Sequence, residues 1–210
     1  MKVIRIRESA ISLTISILAN IVLFSAIFLI PVFVELVKGS SALTAGLILL
    51  PQGITTGIGT VIGEYWSRKG DKRLIVIVGM AILTVTTIQL AFISASSSSA
   101  LLAAILCGRG IALGLTIQPL LYKIIGSLPS KDIPDANTLF NVAERISGAF
   151  GISILASIFE LREEYYLTGS GISSITRAGT MAFHDMVVIL VIISAIGLIM
   201  AFSLGRTRFH

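Results

Sequence analysis

The sequence predicts an all-α fold that crosses a lipid bilayer six times, and three observations carry that prediction. Hydrophobic residues make up 55% of the 210 residues and charged residues only 13%, where a soluble domain carries about a quarter charged residues. Mean hydropathy is +0.97. The apolar residues fall into runs long enough to cross a membrane, separated by short polar turns. Lys and Arg gather in alternate turns, which fixes an orientation with both termini on the cytoplasmic side.

The first span is expected at about 11–36, after Lys2, Arg5 and Arg7. A basic start before an apolar run is also the pattern of a signal peptide, but this run is too long and no small-residue cleavage site follows it. At 1.5 Å per residue it covers roughly 39 Å, enough to cross with tilt. Asn20 is its amide near the middle, and Pro31 is expected to kink its outer third. Glu35 lies at the outer end beside Lys38 and reads as a solvated charge.

The second span, about 42–65, holds Gly46, Gly53, Gly57, Gly59 and Gly63, and small residues of this kind let neighbouring helices approach closely. Gln52, beside Pro51, is its candidate pathway contact. The stretch 63–73 contains Arg68, Lys69, Lys72 and Arg73 and is the densest run of charge in the chain. It is expected to be a cytoplasmic turn, from which every other segment is oriented.

The third span is placed at about 74–94 and ends in a serine-rich outer turn. The fourth, about 100–125, carries Arg109 about 15 Å from its start. At such depth an arginine costs at least ~3 kcal/mol to insert and faces a partner or a watery cavity. Gln118 lies further along the same span. After a cytoplasmic loop with Pro129, Pro134 and several acids, the fifth span is expected at about 136–159. Asn141, Arg145 and Gly148 share one of its faces, with Glu144 beside them. Gate or interface roles suit Asn141, Glu144 and Arg145, since Arg145 is near enough to the cytoplasmic end to snorkel. The stretch 160–183 reads as a longer outer loop, with Tyr165 and Tyr166 at the headgroup level. The last span is expected at about 185–204, before Arg206 and Arg208.

Several function classes fall away. The net charge of +5 resides in separate turns rather than in a continuous basic patch, so orientation explains it and nucleic acid does not. Cys107 is the single cysteine, which rules out an internal disulfide or a cysteine metal cluster, and His184 and His210 stand apart. No nucleophile and base pair, metal cluster or phosphate loop suggests an enzyme, and no cofactor or metal is expected.

Gly63, Arg68, Gly70, Lys72 and Arg73 fall at the spacing of the basic loop motif of the major facilitator superfamily, with Ser67 where that motif has Asp. The run 29–51 resembles the start of the C-terminal half of EmrB/QacA-type, fourteen-span drug:proton antiporters, with Glu35 in place of Gln. Arg109-Gly110 with Gly114 is similar to the superfamily's fourth-helix arginine and glycine motif, echoed in its tenth helix. The spacing Asn141, Arg145, Gly148, Gly151 resembles the matching later helix of those antiporters.

The resemblance implies one six-helix half of the major facilitator fold, in a plasma or inner cell membrane. It implies a small amphipathic substrate and a proton gradient as driving force, without the N-terminal half in which the family places its main proton-coupling acids. Asn20, Gln52, Arg109 and Gln118 would line the path, with Arg109 in either a structural ion pair or a substrate contact. Three readings stay open: a portion completed by an N-terminal half, a half-size transporter working with a second copy of itself, or a non-transporting subunit or truncated remnant. Ser67 in the Asp position favours the remnant.

Overall fold

The computed structural model describes residues 6–168 and 174–205. Lys2, Arg5, Arg206, Arg208 and His210, part of the expected charge pattern, lie outside the described residues. Six helices among the described residues are long and apolar enough to cross a membrane. These are α1 (Arg7–Val32), α2 (Ala42–Lys69), α3 (Lys72–Leu90), α4 (Ser99–Gly126), α5 (Ile133–Thr168) and α6 (Ile175–Phe202). Lipid leaves no water to satisfy backbone groups, so spans of this length must be helical.

Local chemistry sets most of the ends. Pro31 has no N–H to give, and just beyond it the chain passes into a π-helical turn, Phe33–Val37, in which Lys38 N–H reaches the Phe33 carbonyl at 3.2 Å. The re-registered turn stands where the sequence led us to expect a kink. Gly39, with φ of 62°, then reverses the chain in a conformation that L side chains rarely adopt. The side chains of Ser41, Asp71 and Ser98 accept from the backbone N–H of Thr44, Arg73 and Leu101 and cap α2, α3 and α4.

Two expectations are corrected. The stretch 63–73 is not an extended turn: α2 continues through Lys69 and only Gly70 and Asp71 separate it from α3. The helix persists because Arg68 meets Glu64 at 2.7 Å and Lys69 meets Tyr65 at 2.7 Å, each one turn apart. Nor is 160–183 a loop, since α5 runs to Thr168 and α6 begins at Ile175. At 36 residues α5 is about 54 Å long, well over the ~30 Å hydrocarbon core, so it projects into water. The Arg162 guanidinium bonds Asp185 at 2.7 Å and ties this projecting end to α6. The third helix stops at Leu90, short of the expected 94.

Helix α4 packs mainly on α2 and α3, while α1 packs on α5, α6 and α4; α3 and α5 each also meet α6. Most of this neighbour pattern maps onto itself when α1, α2 and α3 are exchanged with α4, α5 and α6, as in a three-plus-three repeat, the exception being that α5 meets α6 far more extensively than α2 meets α3. Backbones approach most closely between α2 and α4. A Cβ on Gly59 would lie 2.7 Å from the Ile111 carbonyl oxygen, and one on Gly63 would lie 2.7 Å from that of Gly114. Gly46, Gly53 and Gly57 face open space instead, so the glycine stripe of α2 serves helix packing on one side only.

Candidate functional site

The largest fully buried polar side chain among the described residues is Arg109 on α4. Gly110 and Gly114 turn toward α2, which sends the neighbouring Arg109 the other way, toward α3 and α1. Its Nη1 donates to Thr87 Oγ1 at 2.7 Å and its Nη2 to the Val22 carbonyl at 3.0 Å. Among the described residues no carboxylate lies within ion-pair distance of it, and Nε has no hydrogen-bond partner. Arg109 therefore ties three helices together through neutral acceptors.

A second polar group joins α1 to α5. Glu144 Oε1 accepts from Asn20 Nδ2 at 3.1 Å and from Ser16 Oγ at 3.0 Å. Asn20 also donates to the Ser16 carbonyl at 3.0 Å, which holds its amide in place. Ser16 and Asn20 are buried, whereas Glu144 is half-buried. Gly148 and Gly151 create the room for this contact by letting α5 press against Phe24 and Ile21 of α1. Asn141 and Arg145 lie on the exposed side of α5, and Asn141 bonds the Asn137 carbonyl.

Gln52 is buried where α2 meets α4, and its Oε1 has no hydrogen-bond partner among the described residues. Gln118 is half-buried on α4. The four candidate path residues do not form one cluster joined by hydrogen bonds.

At the end of the bundle where α2 gives way to α3, Glu64 accepts from Arg68 and, at 3.1 Å, from Tyr122 Oη of α4. Ser67 is buried and donates to the Gly63 carbonyl at 2.6 Å. Gly70 N–H closes α2 on the Trp66 carbonyl, Lys72 opens α3, and Arg73 Nη2 bonds the Phe202 carbonyl of α6 at 2.7 Å. Lys123, nearly buried, bonds the Gly205 carbonyl at 2.6 Å and lies 3.8 Å from Glu8. At the opposite end of the bundle, Lys38 binds the carbonyls of Ala95 and Ser97, and His184 Nε2 contacts the Ile93 carbonyl at 2.8 Å.

Sequence reasoning missed Ser16, Thr87, Tyr122 and Lys123 as partners. Their one visible signal was the presence of hydroxyls or a charge inside or beside an apolar run. Among the described residues no three His, Cys, Asp or Glu side chains come together as a metal site.

The family model of the Major Facilitator Superfamily matches residues 1–152. An uncharacterized MFS-type transporter of Bacillus subtilis, YhcA, is 26% identical over 157 residues, covering 75% of this chain and 30% of YhcA. A lincomycin resistance protein of Listeria monocytogenes, LmrB, is 22% identical over 212 residues, covering 99% of this chain and 45% of LmrB. The vacuolar basic amino acid transporter 2 of Saccharomyces cerevisiae is 25% identical over 162 residues, covering 77% of this chain and 34% of that protein. The chain thus spans less than half the length of each of these relatives. The matched residues include the arginine and glycine motif of α4 and the basic stretch 63–73 where α2 passes into α3, and with them the chain belongs to the Major Facilitator Superfamily.

Proposed function

We propose that this chain forms one six-helix half of a proton-coupled exporter of small amphipathic molecules, of the EmrB/QacA fourteen-span kind, in a cell membrane. The supporting observation is the match to a lincomycin resistance protein that runs along 99% of this chain but covers only 45% of that relative. In such transporters a central path lies between two halves that rock against one another. The half described here has a rigid side, where α4 is locked on α2 and α3 by glycine contacts and by Arg109. It also has a face of α2 on which Gly46, Gly53 and Gly57 meet nothing, open to a second half or a second copy.

The test is uptake of a cationic dye into inside-out vesicles that carry the purified chain alone, or the chain with a separately supplied N-terminal half. Uptake that needs the second half and collapses with the proton gradient is the expected result. Uptake by the chain alone, together with a crosslinked dimer, would replace this reading with a half-size homodimer. No uptake in either case, from folded protein, would leave a subunit that does not transport.

A further inference from the structure

We infer that Glu144 is a proton-binding carboxylate of this half, and that its charge state sets how firmly α5 holds α1. The inference rests on the exporter reading for its use, but not for its chemistry.

Glu144 is the twelfth residue of α5 and Asn20 the fourteenth of α1, so each is about 17–20 Å from the inner end of its helix. A carboxylate at that level is costly, and one kept there calls for a reason. Its two protein donors, Asn20 Nδ2 and Ser16 Oγ, are neutral and converge on the same oxygen, Oε1. A glutamine could accept both bonds with no charge to keep out of lipid. What the carboxyl group adds is the ability to take up a proton.

The charges on the surrounding elements are engaged elsewhere. On α1, Arg7 and Glu8 are at the inner end. On α4, Arg109 is bonded to Thr87 and Val22, and Lys123 to Gly205. On α6, Asp185 is held by Arg162 and Tyr166 and His184 contacts Ile93, all at the outer end, and Arg177 lies in the first turn of the helix. Lys131 and Asp132 belong to the short turn before α5. The charge that acts on Glu144 is that of Arg145, its exposed neighbour. No Lys, Arg or His among the described residues comes within 4.0 Å of it.

The consequence is mechanical. As a carboxylate, Glu144 receives two charge-assisted hydrogen bonds from α1, each roughly twice as strong as a neutral one. A proton taken from water on one side of the membrane adds to the carboxylate and yields the neutral acid. The Ser16 and Asn20 protons stay where they are, and the α1–α5 clamp weakens. When the proton leaves to water on the other side, the carboxylate and the clamp return. Glu144 is half-buried, with the exposed Asn141 and Arg145 beside it on α5, so a proton can reach it where water meets that side of the helix. A two-position contact that a proton biases is what a coupled transporter requires.

The test needs no substrate and no second half. Purified chain in lipid nanodiscs is taken through a pH series by difference infrared spectroscopy, with Glu144→Gln and Asn20→Ala measured alongside and helicity checked by circular dichroism. The wild type is expected to show a protonated carboxyl band that rises with acid and is missing in Glu144→Gln. Asn20→Ala is expected to displace its midpoint several-fold in proton concentration, which also serves as the readout if Glu144→Gln fails to fold. Identical titrations in all three proteins would overturn the inference. A titrating band without proton-driven dye uptake in the vesicles would uphold it and count against the exporter reading. Proton-driven uptake that is unchanged in Glu144→Gln, with no titrating band lost in that variant, would overturn the inference and leave the exporter reading standing.

Discussion

Thr87 of α3 accepts a hydrogen bond from Arg109 of α4 at 2.7 Å, in a place where neither side chain has any exposed surface. Among the described residues the hydroxyl is one of two acceptors that the guanidinium finds there, the other being the Val22 carbonyl. Thr87→Val keeps the shape and removes that acceptor. Leaving a buried donor unmatched costs about 1–3 kcal/mol, so the thermal unfolding midpoint in detergent should fall. An unchanged midpoint would mean that water reaches Arg109 and that the residue lines a cavity.

The α2–α4 contact predicts a contrast between two glycines two positions apart. Gly59→Ala drives a methyl against the Ile111 backbone, which cannot yield as a flexible side chain would, and should destabilise the chain by about 1–3 kcal/mol. Gly57→Ala meets open space and should be neutral or slightly stabilising for the helix. Equal effects at the two positions would contradict the packing described for α2.

Membrane orientation is checked by thiol labelling, and the structure decides where to place the probe. Ser67, the obvious position in the basic stretch, is buried and would resist labelling on either side of the membrane. Lys69 is exposed, so Lys69→Cys in a Cys107→Ala background is the informative variant. An impermeant reagent should spare it in intact cells and label it in inside-out vesicles. Labelling in intact cells would invert the topology.

The C-terminal end of α5 and the N-terminal part of α6 are joined by Arg162, Asp185 and Tyr166, all partly exposed. Solvent weakens such a pair, so Asp185→Asn should cost no more than about 1 kcal/mol in thermal unfolding. Its clearer effect should be faster proteolysis of the 160–185 region. Protection equal to the wild type would show that apolar packing alone holds these ends.

The six spans and their order could be read from the sequence because lipid forces helices of a minimum apolar length. Their true ends could not, because an apolar criterion stops at the edge of the bilayer while α5 continues through Arg162, Glu163 and Glu164. The missed signal was local: Glu64 with Arg68, and Arg162 with Tyr166, stand one helical turn apart, which favours helix over loop. Arg109 stood out as a charge in an apolar run, and its partners did not, since a threonine and a backbone carbonyl carry no signature. Glu144 and Asn20 were both visible as polar residues. Their pairing depends on α1 packing against α5 across 124 residues of chain, which spacing within a helix cannot reveal.

The place of α1 also governs how the protein is made. Its inward-facing Ser9, Ser12, Ser16, Asn20 and Ser25 are sheltered in the finished bundle, chiefly by helices that come late in the chain. The partner of Ser16 on α5 is 128 residues further on, about 6–25 s later at ordinary rates of synthesis. Throughout that interval α1 keeps hydroxyls and an amide turned toward lipid or the insertion machinery. A ribosome pause before α5 should therefore lengthen the time for which a chaperone or quality-control protease can engage α1, a vulnerability that ends only when α5 arrives.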